Sequence, residues 1–183
     1  MTPTDKSNAD LQILVPSQND NPINRNEVLG AIAWLWMHSP LHQEWPSALM
    51  RINVLPAIVH RQFLLIRNKQ GLPVHYASWA YFDEERERKY LRNTNSIAFD
   101  DWNCGDRMWF IDWIAPHGGS RLLIDKLRRE IFPDKAAWAL RVKKNSTKGV
   151  IQDHFGIHLS DQQKKDYTNQ LQRNLDFMNK TSS

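Results

Sequence analysis

An apolar and aromatic segment of the chain has one acidic residue in its middle. The segment MWFIDWIAP, residues 108–116, has the aromatic and branched side chains of a central strand, but it contains Asp112. A carboxylate inside a covered strand is unfavourable unless it is paired or accepts several hydrogen bonds. The sequence therefore predicts a buried partner for Asp112. This partner is either a histidine that the carboxylate orients or a structural group such as Arg107 or a cluster of backbone amides.

Local patterns on both sides of this strand predict a mixed α/β domain. We predict strands at 62–67, 73–82, 108–116 and 136–142, with Gly71 in the turn of a hairpin, and helices from Asn26, from Asp83, after Ser120 and around Tyr167–Met178. This order indicates a mixed sheet covered by helices. Residues 1–24 are polar and predict a mobile tail, so residues 25–183 are expected to form a single domain.

Composition narrows the class of protein. A chain of 183 residues, 41% of them hydrophobic, can build one core. Cys104 is the single cysteine, which excludes a disulfide within the chain, and no apolar run approaches the roughly 20 residues of a membrane span. The first ten residues lack the pattern of a signal peptide, so we expect a cytoplasmic protein. The net charge of +4 favours acidic partners, but no basic and aromatic run indicates nucleic-acid binding.

His42 is a candidate base. Ser39 and Pro40 predict the start of a short helix, which places His42 at about its third residue. The positive end of a helix disfavours the imidazolium form, and a neutral imidazole can accept a proton. Because the chain has seven histidines, position alone assigns no role to His42.

Two further motifs have a functional and a structural interpretation. Gly118 and Gly119 precede a helix, where free backbone amides attract anions, but they do not complete a phosphate-loop pattern and a plain tight turn is equally favoured. A thioester donor bound there would lack a nucleotide. Cys104 could be a thiol nucleophile, although the absence of a nearby histidine in the sequence favours an inert residue. The histidines lack the spacing of metal ligands, so no metal is predicted.

Long tryptophan-rich blocks carry a resemblance that covers about residues 27–156. They are EVLGAIAWLWMHSPLHQEWP at 27–46, INVLPAI at 52–58, PVHYASWAYF at 73–82 and DDWNCGDRMWFIDWIAPHGG at 100–119. They resemble the toxin-activating lysine acyltransferases that accompany RTX hemolysins and adenylate cyclase toxins. The resemblance implies a fold like that of the GCN5-related N-acetyltransferases. It also implies transfer of a long fatty acyl chain from acyl carrier protein, as co-substrate, to internal lysines of an RTX protoxin, with no permanently bound cofactor and with a possible homodimer.

The same resemblance implies a site. The histidine and serine of the SPLH block correspond to His42 and Ser39, and the aspartate of the WFIDW block corresponds to Asp112. We expect His42, oriented by Asp112, to act as the base, and Ser39 or a backbone amide to stabilise the oxyanion. Candidates for acyl or donor binding, for which core packing and a tight turn are the alternatives, are Trp45, Trp79, Trp109, Trp113, Gly118 and Gly119. The alternative functions are an acyl thioesterase and a non-enzymatic toxin chaperone.

Overall fold

The structure is a computed structural model that describes residues 11–142 and 149–181. The strands in these ranges are β1 (Gln12–Leu14), β2 (Phe63–Arg67), β3 (Pro73–Phe82), β4 (Arg107–Ile114), β5 (Ala136–Val142) and β6 (Gly149–Phe155). The α-helices are α1 (Arg25–His38), α2 (Met50–Asn53), α3 (Leu55–Val59), α4 (Glu84–Arg92), α5 (Ser120–Lys126) and α6 (Asp161–Thr181). The predicted α/β class is confirmed, and it is consistent with a fold like that of the GCN5-related N-acetyltransferases.

The chain divides into two compact units. Of the described residues, the first contains 11–79 and Ile111–Leu123, and the second contains Ala80–Phe110, 124–142 and 149–181. The division falls within the residue ranges of β3 and β4. Asp112 and His42 both belong to the first unit.

In the first unit, β1, β2 and the start of β3 are antiparallel neighbours. Leu65 lies opposite Tyr76 and Phe63 lies opposite Ser78 in the pairing of β2 with β3. The predicted hairpin is confirmed, since Gly71 has φ of 79° in the connecting turn and its amide donates to the carbonyl of Asn68. A positive φ is readily adopted by glycine, which explains this residue at the turn.

The segment predicted to be a mobile tail contains a strand. Residues 12–14 form β1, which pairs with β2. Beyond it, the Arg61 guanidinium donates to the backbone carbonyls of Pro16, Asn19 and Asn21. Residues 11–24 therefore include structured backbone that composition alone did not predict. Residues 1–10 lie outside the described ranges, and the division into a tail and a single domain stays a prediction.

Helix α1 has the predicted apolar spacing, but it begins earlier than predicted. Its cap is the side chain of Asn24, which accepts from the Glu27 amide at 3.2 Å, and not that of Asn26. The buried face consists of Val28, Ile32, Leu35 and Trp36. This face points toward the core of the first unit, where Trp36 reaches the site described below.

The short helix predicted from Ser39 is not formed. Residues 40–44 make hydrogen-bonded turns, in which the amides of His42 and Gln43 both donate to the carbonyl of Ser39. Proline at position 46 disfavours the helical conformation of Trp45, and this explains why the turns do not grow into a helix. The argument that a helix end keeps His42 neutral therefore does not apply.

In the second unit, β4 pairs with β5 in parallel and β5 pairs with β6 antiparallel. The predicted helix α4 is confirmed together with its cap, since the Asp83 side chain accepts from the Arg86 amide at 2.7 Å. The predicted helix after Ser120 begins as α5 and continues as a wider helical turn over Leu127–Ile131. Strand β6 was not predicted, because most of its residues are polar or exposed.

Candidate active site

The predicted buried partner of Asp112 is His42. The imidazole Nε2 lies 2.8 Å from Asp112 Oδ1, and the two residues are 3% and 5% exposed. Strand β4 supplies the carboxylate, while the turn after α1 supplies the imidazole. Of the two interpretations that the sequence left open, the geometry therefore agrees with a carboxylate that orients a histidine.

Ser39 occupies the other nitrogen of the same ring. Its Oγ lies 2.7 Å from Nδ1 of His42, and Ser39 is also buried. An ionised carboxylate only accepts hydrogen bonds, so the imidazole proton is assigned to Nε2, and Nδ1 accepts from the Ser39 hydroxyl. The resulting chain of contacts runs from carboxylate to imidazole to hydroxyl, and its free end is the serine oxygen.

Two indole rings enclose the imidazole. The ring centroid of His42 lies 5.0 Å from that of Trp36 and 4.7 Å from that of Trp45, and the two indoles are 5.6 Å apart. Trp36 also donates from Nε1 to Asp112 Oδ2 at 3.0 Å. The sequence indicated only that Trp36 is an apolar position of α1. Its hydrogen bond depends on a residue 76 positions away, so no local pattern predicts it.

Two buried hydroxyl groups lie on β3 in the same unit. Tyr76 and Ser78 are fully buried and alternate residues of one strand, so their side chains share a face. Among the described residues neither hydroxyl has a partner within ordinary hydrogen-bond geometry. Burial raises the pKa of Tyr76, the charge of Asp112 raises it further, and nearby Ser78 lowers it. The phenol therefore stays neutral.

The glycine pair after β4 forms a tight turn held by His75. Gly118 and Gly119 have φ of 88° and 80°, and Nε2 of His75 donates to the Gly118 carbonyl at 3.0 Å. Burial lowers the pKa of His75, with His117 contributing in the same direction and the Gly118 hydrogen bond opposing. Binding of a donor at this turn stays a prediction.

Replacing Gly119 by alanine is expected to destabilise the fold more than the same change at Gly118. A Cβ at Gly119 would lie 2.4 Å from His75 Nε2, whereas no atom lies within 4 Å of one at Gly118. We expect Gly118→Ala to lower the free energy of unfolding by about 1–2 kcal/mol through its positive φ alone, and Gly119→Ala to lower it by about 2–4 kcal/mol. Urea unfolding measures both. In a His75→Ala background, the difference between the two losses of unfolding free energy should shrink. An unchanged difference would contradict the steric explanation.

The four candidate tryptophans fall into different surroundings. Trp45 is partly exposed and contacts His42, which suits a residue at the mouth of a site. Trp79 is fully buried, and Trp113 is half-buried on β4 beside Asp112. Trp109 belongs to the second unit, where its buried indole donates to Glu87 Oε1 at 2.9 Å, so core packing accounts for it.

Cys104 has the surroundings of an unreactive thiol. It is an exposed residue whose Sγ donates to the Asp101 carbonyl and accepts from the Asp83 amide. Partial burial raises the pKa of the thiol, which disfavours the nucleophilic thiolate. This geometry favours the structural interpretation of Cys104.

Replacement of Cys104 by serine is expected to leave the rate of the acyl transfer that the resemblance implies within about two-fold, because a hydroxyl can make both contacts and surface substitutions have small effects. The rate of product formation measures this. A loss of more than tenfold in a folded protein would instead indicate that the thiol takes part in the reaction.

The described part of the chain contains neither a cluster suited to a metal ion nor a helix suited to a membrane. In ranges 11–142 and 149–181, no group of three or more histidine, cysteine, aspartate or glutamate residues is arranged to hold a metal ion. None of the helices described there has the length and apolarity needed to cross a membrane.

Comparison with known proteins gives a consistent result over most of the chain. Residues 21–154 match the model of the RTX toxin acyltransferase family. The chain is 48% identical over 134 residues to the RTX-I toxin-activating lysine-acyltransferase ApxIC of Actinobacillus pleuropneumoniae, covering 73% of this chain and 77% of the relative.

Two further relatives extend the coverage. The chain is 41% identical over 162 residues to the protein-lysine myristoyltransferase RtxC of Kingella kingae, covering 84% of this chain and 96% of the relative. Identity to the protein-lysine myristoyltransferase HlyC of Escherichia coli is 42% over 149 residues, with 79% and 84% covered. The range that matches the family, residues 21–154, includes Ser39, His42 and Asp112. With a family model that matches well over half of its length, the chain belongs to the RTX toxin acyltransferase family.

Proposed function

We propose that this protein transfers a long fatty acyl group from acyl carrier protein to the ε-amino groups of internal lysines in an RTX protoxin. The family and the names of the relatives support lysine acylation. The observation that carries the chemical part is the buried chain of contacts from Asp112 through His42 to Ser39. This arrangement fixes the orientation of the imidazole between a carboxylate and a hydroxyl, which is how a general base is positioned.

The reaction requires removal of protons from the acceptor amine. A lysine side chain is mostly protonated near neutral pH, since its ordinary pKa is about 10.4, and only the neutral amine attacks a carbonyl. After the ammonium loses its first proton to solvent, the amine nitrogen attacks the thioester carbon, a C–N bond forms and the C–S bond breaks. The carrier's sulfur leaves as a thiolate, and the nitrogen loses one more proton. His42 is placed to accept a proton and to return it to the leaving sulfur.

We assign the two imidazole nitrogens to different tasks. Asp112 holds the proton on Nε2, so Nδ1 is the basic nitrogen, and the Ser39 hydroxyl already donates to it. We infer that the Ser39 oxygen relays the lysine proton to Nδ1. We also propose that Ser39 or a backbone amide stabilises the oxyanion formed when the amine attacks the thioester.

A second route uses the same contact. In many hydrolases an aspartate contacts a histidine, and that histidine contacts a nucleophilic serine. Asp112, His42 and Ser39 make the same sequence of contacts, so Ser39 could carry the acyl group before the lysine receives it. A Ser39→Ala variant discriminates between the routes. A relay serine can be replaced in part by water, so some activity remains, whereas a nucleophilic serine cannot be replaced and an acyl-serine should be detectable by mass spectrometry of the wild type.

The surface charge and Trp45 bear on how the acyl donor binds. The net charge of +4 favours encounter with an acidic carrier protein. Trp45, partly exposed beside the imidazole, is the best-placed of the four tryptophans to contact the acyl chain. A homodimer and a cytoplasmic location belong to the same proposal.

Intact-mass analysis tests the proposed function. A candidate protoxin is incubated with the protein and with acyl carrier protein thioesters of several chain lengths, and its mass is expected to rise by one acyl amide for each modified lysine. Rapid release of free fatty acid without protoxin would instead support a thioesterase. A His42→Ala variant that binds protoxin and leaves it unmodified would exclude the non-enzymatic chaperone, and an unchanged protoxin mass with the wild type would contradict acyl transfer.

A further inference from the structure

The carboxylate of Asp112 is held at both of its oxygens by different residues. Oδ1 accepts from His42 at 2.8 Å and Oδ2 accepts from the Trp36 indole at 3.0 Å. A planar carboxylate fixed at one oxygen can still rotate about the bond to its Cβ. Fixing the second oxygen removes that freedom, so the direction in which Oδ1 faces the imidazole depends on Trp36.

Trp36 is itself held in place. It is buried on α1, and its ring packs against the rings of both His42 and Trp45. Ser39, the residue that contacts the other nitrogen of the imidazole, is the C-terminal cap of α1, and its amide donates to the Trp36 carbonyl at 3.1 Å. The end of α1 therefore supports both sides of the imidazole, directly through Ser39 and indirectly through Trp36 and Asp112.

The indole is suited to this task by its chemistry. Its N–H group can only donate, so it stabilises the ionised form of a buried carboxylate and cannot take a proton from it. A buried carboxylate with a single donor would be strongly disfavoured in its charged form. With the indole and the imidazole as donors, the negative charge that fixes the Nε2–H tautomer can persist inside the first unit.

We propose that Trp36 is a positioning residue of the acyltransferase, which acts by holding Asp112 in the orientation that fixes the tautomer of His42. The proposal rests on the proposed function for its kinetic part. Its structural part, the tautomer of His42, holds for the free protein without any substrate.

A Trp36→Phe variant tests the kinetic part, because phenylalanine keeps an aromatic ring and lacks the N–H donor. We expect kcat to fall by about 10- to 100-fold, the effect of losing one hydrogen bond to a charged group, while KM for both substrates stays within about two-fold. Trp34→Phe is the matched control. Trp34 lies on the same helix, its side chain is 45% exposed, and it contacts His38 outside the proposed machinery, so its loss should leave kcat unchanged.

The ¹⁵N chemical shifts of His42 test the structural part without substrate. The wild type and Trp34→Phe should show a single Nε2–H tautomer, and Trp36→Phe should show a mixture of the two neutral tautomers. If Trp36→Phe does not fold, replacement of Trp36 by benzothienylalanine, which retains the shape and lacks the N–H, gives the same measurement.

The two readouts separate failure of this inference from failure of the proposed function. An absence of lysine acylation by the wild type would refute the function and leave the tautomer experiment intact. An unchanged His42 spectrum in Trp36→Phe would overturn the inference, with or without a loss of kcat, because a lower rate with a fixed tautomer would mean that the indole only packs.

Discussion

Replacing Asp112 by asparagine is expected to slow lysine acylation by about 10³- to 10⁴-fold while the protein stays folded. The side-chain amide of asparagine can donate to Nε2 of His42, which would move the imidazole proton to Nδ1. Nδ1 would then carry a proton. It could neither accept a hydrogen bond from the Ser39 hydroxyl nor take a proton from it, so the imidazole could not act as the base. Single-turnover kinetics of amide formation with an acyl carrier protein thioester measure this change.

The matched control is Asp125→Asn, because Asp125 is a partly exposed residue of α5 that pairs loosely with Arg129. The rate with this variant should be unchanged, since the exposed ion pair contributes little. Thermal unfolding of both variants shows whether the fold is retained. A folded Asp112→Asn protein with more than a tenth of the wild-type rate would contradict the pairing of the two residues in catalysis.

A double variant sharpens the same prediction. If Asp112 acts only by orienting His42, its carboxylate has no effect once His42 is removed. The double variant His42→Ala with Asp112→Asn should therefore acylate lysine no more slowly than His42→Ala alone. Independent contributions would instead multiply the two losses. The comparison therefore distinguishes an orienting carboxylate from one that contacts substrate by itself.

Much of the fold follows from signals that lie close together in the sequence. The hairpin of β2 and β3 has runs rich in apolar and aromatic residues on both sides of Gly71, and α4 has its cap at Asp83 directly before a charged helical run. Strand β6 and the short helices α2 and α3 have no such signals, because they are short or polar and are stabilised by their neighbours. Strand β1 was missed for the same reason.

The candidate site was predictable in part. The position of Asp112 inside an apolar strand indicates a buried partner, because a buried charge without a partner is unfavourable. Its identity came from resemblance, since His42 is one of seven histidines. Trp36 could not be predicted, because its indole nitrogen meets Asp112 only after the helix and the strand have come together.

The charged helix α4 has one residue whose surroundings its local sequence does not indicate. Glu87 is 0% exposed and lies among donors from two other elements. Arg107 Nη1 and Trp109 Nε1, both from β4, donate to it at 2.9 Å, and Asn174 of α6 donates as well. Burial raises the pKa of Glu87, and hydrogen bonds from Trp109, Arg107 and Asn174 lower it.

Replacing Glu87 by alanine is expected to lower the free energy of unfolding by about 3–5 kcal/mol, because it leaves the Arg107 charge and two buried N–H groups without their acceptor. Glu87→Gln keeps one acceptor oxygen and should lose less. Glu85→Ala is the control on the same helix: its side chain is 77% exposed and pairs with Arg86, so its loss should change stability by at most about 0.5 kcal/mol. Urea unfolding compares the three variants. Equal effects of Glu87→Ala and Glu85→Ala would show that the buried carboxylate does not join α4, β4 and α6.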